Sequence, residues 1–475
     1  MKTIEDKILI DKLFKLPANY WDFRNDDTKE YTHGIHNYPA MMVYPISRNI
    51  IKLIKEVKPI NSIFDPFAGS GTVLVEGMLS GIEIVSGNDI NPLALFLSKA
   101  KTIPLEHREL SIACDILMEN INDKRENIMP YLECVNTYIT KHLDLDVADR
   151  IGWGNDAFKY LKQFCIEKKI SINIPDFNNM GYWFKPRVIL ELSLIKTEIE
   201  KINNLNIRNF ILIAFSECIR FVSNRRKGEF KMFRMPIAKV QNFNPNVYEE
   251  FKKILLRNVN KMEQFYNAME KLSVKPKVTI FGNDTRTLTD VPDDYYDLII
   301  TSPPYGDSRT TVAYGEYSRL SLRWINSFDL TEKEVTKIDK YLMGGDKYKN
   351  GFVNNLKSET LRASLNKIMA IDIERAGDVY SFYSDLDASI KSIAKKTRSG
   401  GYQFWVVGNR TVKSELLQTD VIITDLAIQY DLTAVHVIDR NIPNKVMPSL
   451  NSPTNITGAK SATMTMEHII ILRKN

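Results

Sequence analysis

The stretch "DLIITSPPYGDS", Asp297–Ser308, runs an apolar, β-branched segment straight into two adjacent prolines, then an aromatic, a glycine and an acid. Proline fixes φ and pushes the residue before it out of the helical region. Two in a row hold Ser302 and the Pro303 carbonyl in nearly fixed directions, a pair of acceptors stiffened by Pro304 with the Tyr305 ring beside them. An amine conjugated to an aromatic ring is a poor nucleophile because its lone pair is delocalised. Two acceptors gripping its hydrogens favour a pyramidal nitrogen whose lone pair can attack an electrophilic carbon, and an aromatic ring offers a flat base a stacking surface. The bland alternative is a turn that merely ends a strand.

A second cluster carries binding rather than reaction. In "FDPFAGSGT", Gly69 and Gly71 permit a tight strand-to-helix turn and a close approach of ligand to backbone. Asp89 lies eighteen residues past Gly71, just beyond the next strand, where a carboxylate can accept both hydroxyls of a ribose. "AGSGTV" lacks the Lys-Ser/Thr ending that grips phosphate. The pairing favours an adenosine-bearing cofactor without phosphates, such as S-adenosyl-L-methionine; the alternative is a glycine turn and a solvated acid.

These residues need an α/β frame. Strand–turn–helix–strand opens the chain, with a strand ending at Phe64 or Asp65, a helix from about Thr72 to Ser80, a strand over 82–86 and a helix starting near Pro92. Residues 105–275 then show long helical periodicities, as in "RVILELSLIKTEIEKI" and "NFILIAFSECIRFV". Strands resume at "KVTIFGND", 296–300, 401–409, 432–440 and "MEHIIILRK", with helices near 378–397 and 413–430. We expect a mostly parallel sheet, divided as 1–104 and 276–475 around a helical subdomain at 105–275, with a polar loop or lid at 325–375.

The bulk numbers are those of an ordinary globular protein: 475 residues, 44% hydrophobic and 26% charged, with no apolar run long enough to span a membrane and no secretory block at the N-terminus. The cytoplasm is the expected compartment. The four cysteines are scattered and unpaired in sequence, and His33 and His36 have no partners that complete a ligand set, so no metal site is expected. Net charge is +6, and "RFVSNRRKGEFKMFR" concentrates it: Arg220, Arg225, Arg226, Lys227, Lys231 and Arg234 stand against Glu229, interleaved with Phe221, Phe230 and Phe233. Such a stretch can neutralise phosphates and stack on or wedge between bases, or it can be a solvated loop after a helix.

Together "DPFAGSGT", Asp89 in "GNDINP" and "TSPPYGDS" resemble the S-adenosylmethionine-dependent DNA amino-methyltransferases that modify cytosine N(4) or adenine N(6). The resemblance extends over about 31–100 and 278–474, through "HGIHNYPAMM", "FGNDTR", "GYQFWVVGNR" and "NIPNKVMPSLNSPTN". It implies a Rossmann-like sheet with an antiparallel last strand and a catalytic corner of Ser302, Pro303, Pro304 and Tyr305. It also implies a cofactor site at Tyr38, Pro39, Asp65, Phe67, Gly69, Gly71, Thr72, Asp89, Ile90 and Asp284. A leading Ser is the form more often associated with cytosine. The implied partner is double-stranded DNA, contacted through Arg225, Arg226, Lys227, Lys231 and Arg234, and a cognate restriction endonuclease is a further partner the resemblance allows. The long insertion between the second and third strands departs from the family's common placement of a recognition domain. Methylation at a ring carbon is excluded, because it needs a nucleophilic thiolate, usually from a Pro-Cys pair, and no cysteine here follows a proline. Methylation of an amine in RNA, and a non-catalytic DNA-binding protein, remain the alternatives of other kinds.

Overall fold

The computed structural model of the chain describes residues 2–24, 26–143, 151–307, 311–325, 330–345, 352, 354–442, 450–451, 461–462 and 466–475. Seven strands form its central sheet: β1 (Ser62–Asp65), β2 (Ile84–Asn88), β3 (Lys277–Phe281), β4 (Tyr296–Thr301), β5 (Thr397–Val407), β6 (Leu432–Asn441) and β7 (Met466–Lys474). Their order is β3-β2-β1-β4-β5-β7-β6. β7 runs antiparallel to both neighbours, and every other pairing is parallel. This is the Rossmann-like methyltransferase sheet with a reversed last strand. The chain winds from β1 to β3 in one direction and from β4 onward in the other. The crevice at that reversal, outside the carboxyl ends of β1 and β4, is where open α/β sheets take ligands.

The central strands are short apolar runs because both their faces are covered; every residue of β1 and β4 is buried. Successive side chains alternate between two cores. Ile63, Leu298, Ile300, Phe404 and Ile471 join one, and Phe64, Ile299, Trp405 and Ile470 the other. The helices between β2 and β3, which include His107–Leu143, Ile151–Glu167, Pro186–Ile199, Leu205–Val222 and Val247–Glu270, bury their apolar stripes in the first core. The second core is closed by the helices Glu359–Ile371, Ile373–Lys396 and Thr419–Ala427. The N-terminal helix Ile4–Phe14, capped reciprocally by Thr3 and Asp6, docks through buried Asp6. Asp6 accepts the Tyr402 hydroxyl at 2.8 Å and pairs with Arg473 at 3.1 Å.

Boundaries differ from the sequence reading in instructive places. β2 lies two residues later than expected, and β5 begins at Thr397 rather than 401. The stretch expected as one helix over 413–430 opens with a hairpin, Arg410–Val412 against Glu415–Leu417, before its helix. Lys413 and Ser414 both take positive φ there, a tight turn made without the glycine or asparagine that advertises one. The 325–375 segment, expected as a loop or lid, contains the helices Glu332–Tyr341 and Glu359–Ile371. Its polarity belongs to their outer faces, and the capping box of Thr331 and Glu334 was the legible start signal. Part of "YLMGGDKYKNGFVNN", with Ser308 and most of "NIPNKVMPSLNSPTN", lies outside the described residues. Among the described residues no helix is long and apolar enough to cross a membrane.

Gly87 shows how closely helix and sheet meet beneath the crevice: a Cβ there would lie 2.7 Å from a Leu74 methyl and 3.0 Å from the Ala68 Cβ. Gly87→Ala should cost about 1–3 kcal/mol by overpacking, read as a lowered urea midpoint. An unchanged midpoint would mean that the helix yields freely.

Candidate active site

One cavity opens at the crevice. Tyr38, Pro39, Asp65, Phe67, Gly69, Thr72, Asp89, Ile90 and Asp284 line it together with Ser302 and Pro304. Gly71, Pro303 and Tyr305 are not among its lining residues. The glycines divide the work of the turn. Gly69 (φ +50°) faces the cavity, where a Cβ would reach only the Tyr38 ring at 3.6 Å. Gly71 (φ +84°) lets the following helix seat against Ser98, whose Cβ would be 2.9 Å from an added one.

The carboxylates are fixed by backbone amides. Asp89 accepts from Gly69 N and Asn91 N, both at 2.8 Å. Asp65 accepts from Phe67 N at 3.1 Å and from the Thr301 hydroxyl at 2.8 Å, which ties the carboxyl end of β1 to that of β4. Desolvation outweighs these bonds, pushing Asp65 up to about 7 and Asp89 up to about 6. Asn88 adds a third tie, donating to the carbonyls of Pro66 (3.3 Å) and Asn283 (3.1 Å) while accepting from Asn283 N. Ser70 lines the same cavity with a buried hydroxyl that has no hydrogen-bond partner among the described residues. Desolvated acceptors and an unpartnered hydroxyl fit a ligand that brings hydroxyl and amine donors. Asp284 also lies on the wall, but its carboxylate holds Arg286, whose Nε is 2.9 Å from each oxygen and whose guanidinium also reaches Asp385 at 3.1 Å.

At the corner, Ser302 Oγ donates to the Tyr305 hydroxyl at 3.2 Å, and Tyr305 donates to Glu467 Oε1 at 3.0 Å. Glu467 in turn pairs with Arg440. Burial, and then the Glu467 charge, hold the Tyr305 phenol well above its ordinary value. The residues after the corner are pinned too: buried Asp307 takes Arg375 at 3.0 Å and Arg410 at 3.3 Å. Gly306 leaves room for Arg410 to cross it, since a Cβ would fall 1.6 Å from Nη1.

The basic stretch forms a hairpin, with Arg226 N bonded to Phe233 O at 2.7 Å and Met235 N to Asn224 O at 2.8 Å. Its cations are not equivalent. Arg225 is 8% exposed and donates to the carbonyls of Arg226 and Glu229, bracing the hairpin from inside. Arg234 donates to Tyr182 O at 3.0 Å and lies over that ring, and Lys231 is half-buried. Arg226 and Lys227 are exposed, as are Phe230 and Phe233. Met232 N donates to Glu316 at 3.0 Å, which holds the hairpin on the helix Tyr314–Ile325, and Tyr314 of that helix lines the cavity.

Several site residues escaped sequence reasoning. Asn91 caps the helix Pro92–Lys101 and donates to the Tyr38 hydroxyl (3.1 Å) and Ser318 (2.9 Å), binding three segments of the wall. An asparagine before a helix-opening proline was its readable signal. Tyr314, Tyr341 and Met343 also line the cavity, and nothing local marks them, whereas Met41 and Arg286 fall within the quoted "HGIHNYPAMM" and "FGNDTR". His33 and His36 are structural, bonded to Glu76 (2.8 Å) and Ser216 (3.0 Å). Among the described residues no cluster of His, Cys, Asp and Glu is arranged to hold a metal ion.

Known proteins match this sequence. The family described as "RMKL-like, methyltransferase domain" matches residues 35–135. The type II methyltransferase M.MvaI of Kocuria varians is 41% identical over 479 aligned residues, which cover 99% of this chain and 97% of that protein. The type II methyltransferase M.MjaII of Methanocaldococcus jannaschii is 23% identical over 342 residues, 60% of this chain and 62% of its own. Among solved structures, the rRNA methyltransferase aviRa of Streptomyces viridochromogenes aligns over 92% of this chain and 88% of that one at 9% identity, with a TM-score of 0.28, too low to bear on function. With a relative this similar along nearly the whole of both sequences, the chain belongs to the type II DNA methyltransferase family.

Proposed function

We propose that the chain transfers a methyl group from S-adenosyl-L-methionine to the N(4) amine of a cytosine swung out of double-stranded DNA. The observation that carries this reading is that Ser302 and Pro304 share one cavity with Gly69 and Asp89. The bound cofactor would supply an electrophilic methyl carbon; the rest falls to this chain. Asp89 accepts the ribose hydroxyls, Phe67 and Ile90 flank the adenine, with Asp65, Thr72 and Asp284 completing that end and Gly71 seating the helix behind it. Tyr38 and Pro39 close the methionine end. Ser302 Oγ and the Pro303 carbonyl grip the amine, Pro304 keeps the corner rigid, and the Tyr305 ring stacks on the base. The leading serine favours cytosine over adenine.

Removing a base from the stack costs a few kcal/mol, which phosphate contacts and an inserted side chain must offset. The helical region 105–275 is the proposed recognition domain, and its hairpin presents Arg226 and Lys227 beside Phe230 and Phe233. Lys231 and Arg234 are secondary candidates, and Arg225 serves the interface by bracing it. A restriction endonuclease reading the same site is the proposed companion.

Three outcomes test this. Ser302→Ala should lower methyl transfer to unmodified DNA by about 100-fold or more, and nucleoside analysis of the wild-type product should find N(4)-methylcytosine. N(6)-methyladenine instead would overturn the base assignment. Because ribose hydroxyls donate to an ionised carboxylate, S-adenosylhomocysteine should bind fully above pH about 6 and weaken as pH falls through that value. Calorimetry on Asp89→Asn should find weaker, flatter binding, and wild-type affinity in that variant would remove Asp89 from the cofactor. The double variant Arg226→Ala, Lys227→Ala should reduce the slope of log affinity against log salt by about 1 for each phosphate no longer neutralised; an unchanged slope would take the hairpin tip off the DNA.

A further inference from the structure

The corner of TSPPY does not end at its tyrosine. Ser302 donates to Tyr305 and Tyr305 donates to Glu467, so both hydroxyl hydrogens are taken up within this chain of bonds. Ser302 Oγ is thereby left with lone pairs as its remaining capacity on the cavity side. Glu467 sits on β7 directly across the ladder from Arg440 on β6. Arg440 takes Oε2, leaves Oε1 to Tyr305, and is itself fixed by donating through Nε to Trp21 O at 2.9 Å. The Glu467 side chain is 15% exposed, so the chain of bonds runs from the cavity to a partly exposed carboxylate.

We propose that Glu467, acting through Tyr305, is the terminal acceptor for the proton that the target amine must lose. The inference rests on the amine-methylation reading above. As the nitrogen forms its bond to the methyl carbon, the carbon–sulfur bond breaks and its electron pair stays on sulfur. The nitrogen, now carrying positive charge, gives one hydrogen to Ser302 Oγ. The Ser302 hydrogen moves to the Tyr305 oxygen, and the Tyr305 hydrogen moves to Glu467 Oε1. The products are a neutral secondary amine, a thioether and a protonated Glu467, which then releases its proton to water. Ser302 and Tyr305 end with the hydrogen count they began with. Burial keeps the Tyr305 phenol protonated at rest, so it conducts a proton without storing charge.

Two variants separate this relay from a structural role. Tyr305→Phe keeps the ring and removes the conducting hydroxyl. Glu467→Gln keeps an acceptor for the Tyr305 hydrogen bond but cannot take up a proton. Single-turnover methyl transfer would be measured with enzyme in excess, saturating S-adenosylmethionine, and genomic DNA amplified in vitro so that it carries no modified bases. Each variant should slow transfer by about 100-fold, and the double variant should be no slower than the slower single one. The solvent deuterium effect of the wild type should shrink in Tyr305→Phe. Wild-type rate and solvent deuterium effect in Tyr305→Phe would overturn the relay, as would a wild-type rate in a folded Glu467→Gln. Should the wild type methylate no exocyclic amine at all, the functional reading fails first and the relay with it.

Discussion

The bond between the Thr301 hydroxyl and Asp65, 2.8 Å long and fully buried, is the constraint on which the site depends. It joins the last residue of β4 to the last residue of β1, the two strands between which the chain reverses its winding. The glycine turn leaves from one of them and the double-proline corner from the other. Their separation is therefore set by the β1–β4 ladder and this bond at its end, not by the loops. Asn88 extends the same tie to Pro66 and Asn283. Loops that carry function are mobile in general; here their roots are cross-linked before they leave the sheet.

That rigidity comes at the cost of desolvation. Asp65 and Asp89 are both pushed upward by burial despite backbone and hydroxyl donors. Since their folded values lie above the unfolded carboxylate range, they oppose folding once the pH exceeds that range, and the opposition is complete above about 7. Acidification toward the unfolded range relieves it. A ligand carrying hydroxyl or amine donors would relieve it without acid, which is the physical sense in which the crevice is built for occupancy.

Much of this frame could be read from the residues. β1, its glycine turn, the helix from Thr72, the helix from Pro92, and the strand entering TSPPY all announced themselves by apolar runs cut off by glycine or proline. What stayed hidden was set by distant partners. The turn at Lys413 and Ser414 adopts positive φ with residues that rarely do so. Arg225 reads like its neighbour Arg226, yet one braces a hairpin through backbone carbonyls and the other stands in solvent. Composition reports that a stretch is basic; only the fold decides which cations remain available to a polyanion. The polar 325–375 segment failed in the opposite sense, because amphipathic helices on a surface have the composition of a loop.

Glu467 is the extreme case. Within "MTMEHIIILRK" it is an ordinary acid at the start of an apolar strand. In a parallel strand, a residue at the beginning would lie at the amino edge of the sheet, far from the chemistry. β7 runs against β5 and β6, so its first residues arrive at the carboxyl edge instead. The same reversal sets Glu467 opposite Arg440, near the end of β6, with its other oxygen within reach of Tyr305. Strand direction is a property of the whole sheet and leaves no mark on the local sequence. One antiparallel strand in an otherwise parallel sheet thus does more than seal an edge: it delivers a carboxylate, with its counter-charge, to the corner from which, on the proposed reading, a proton leaves.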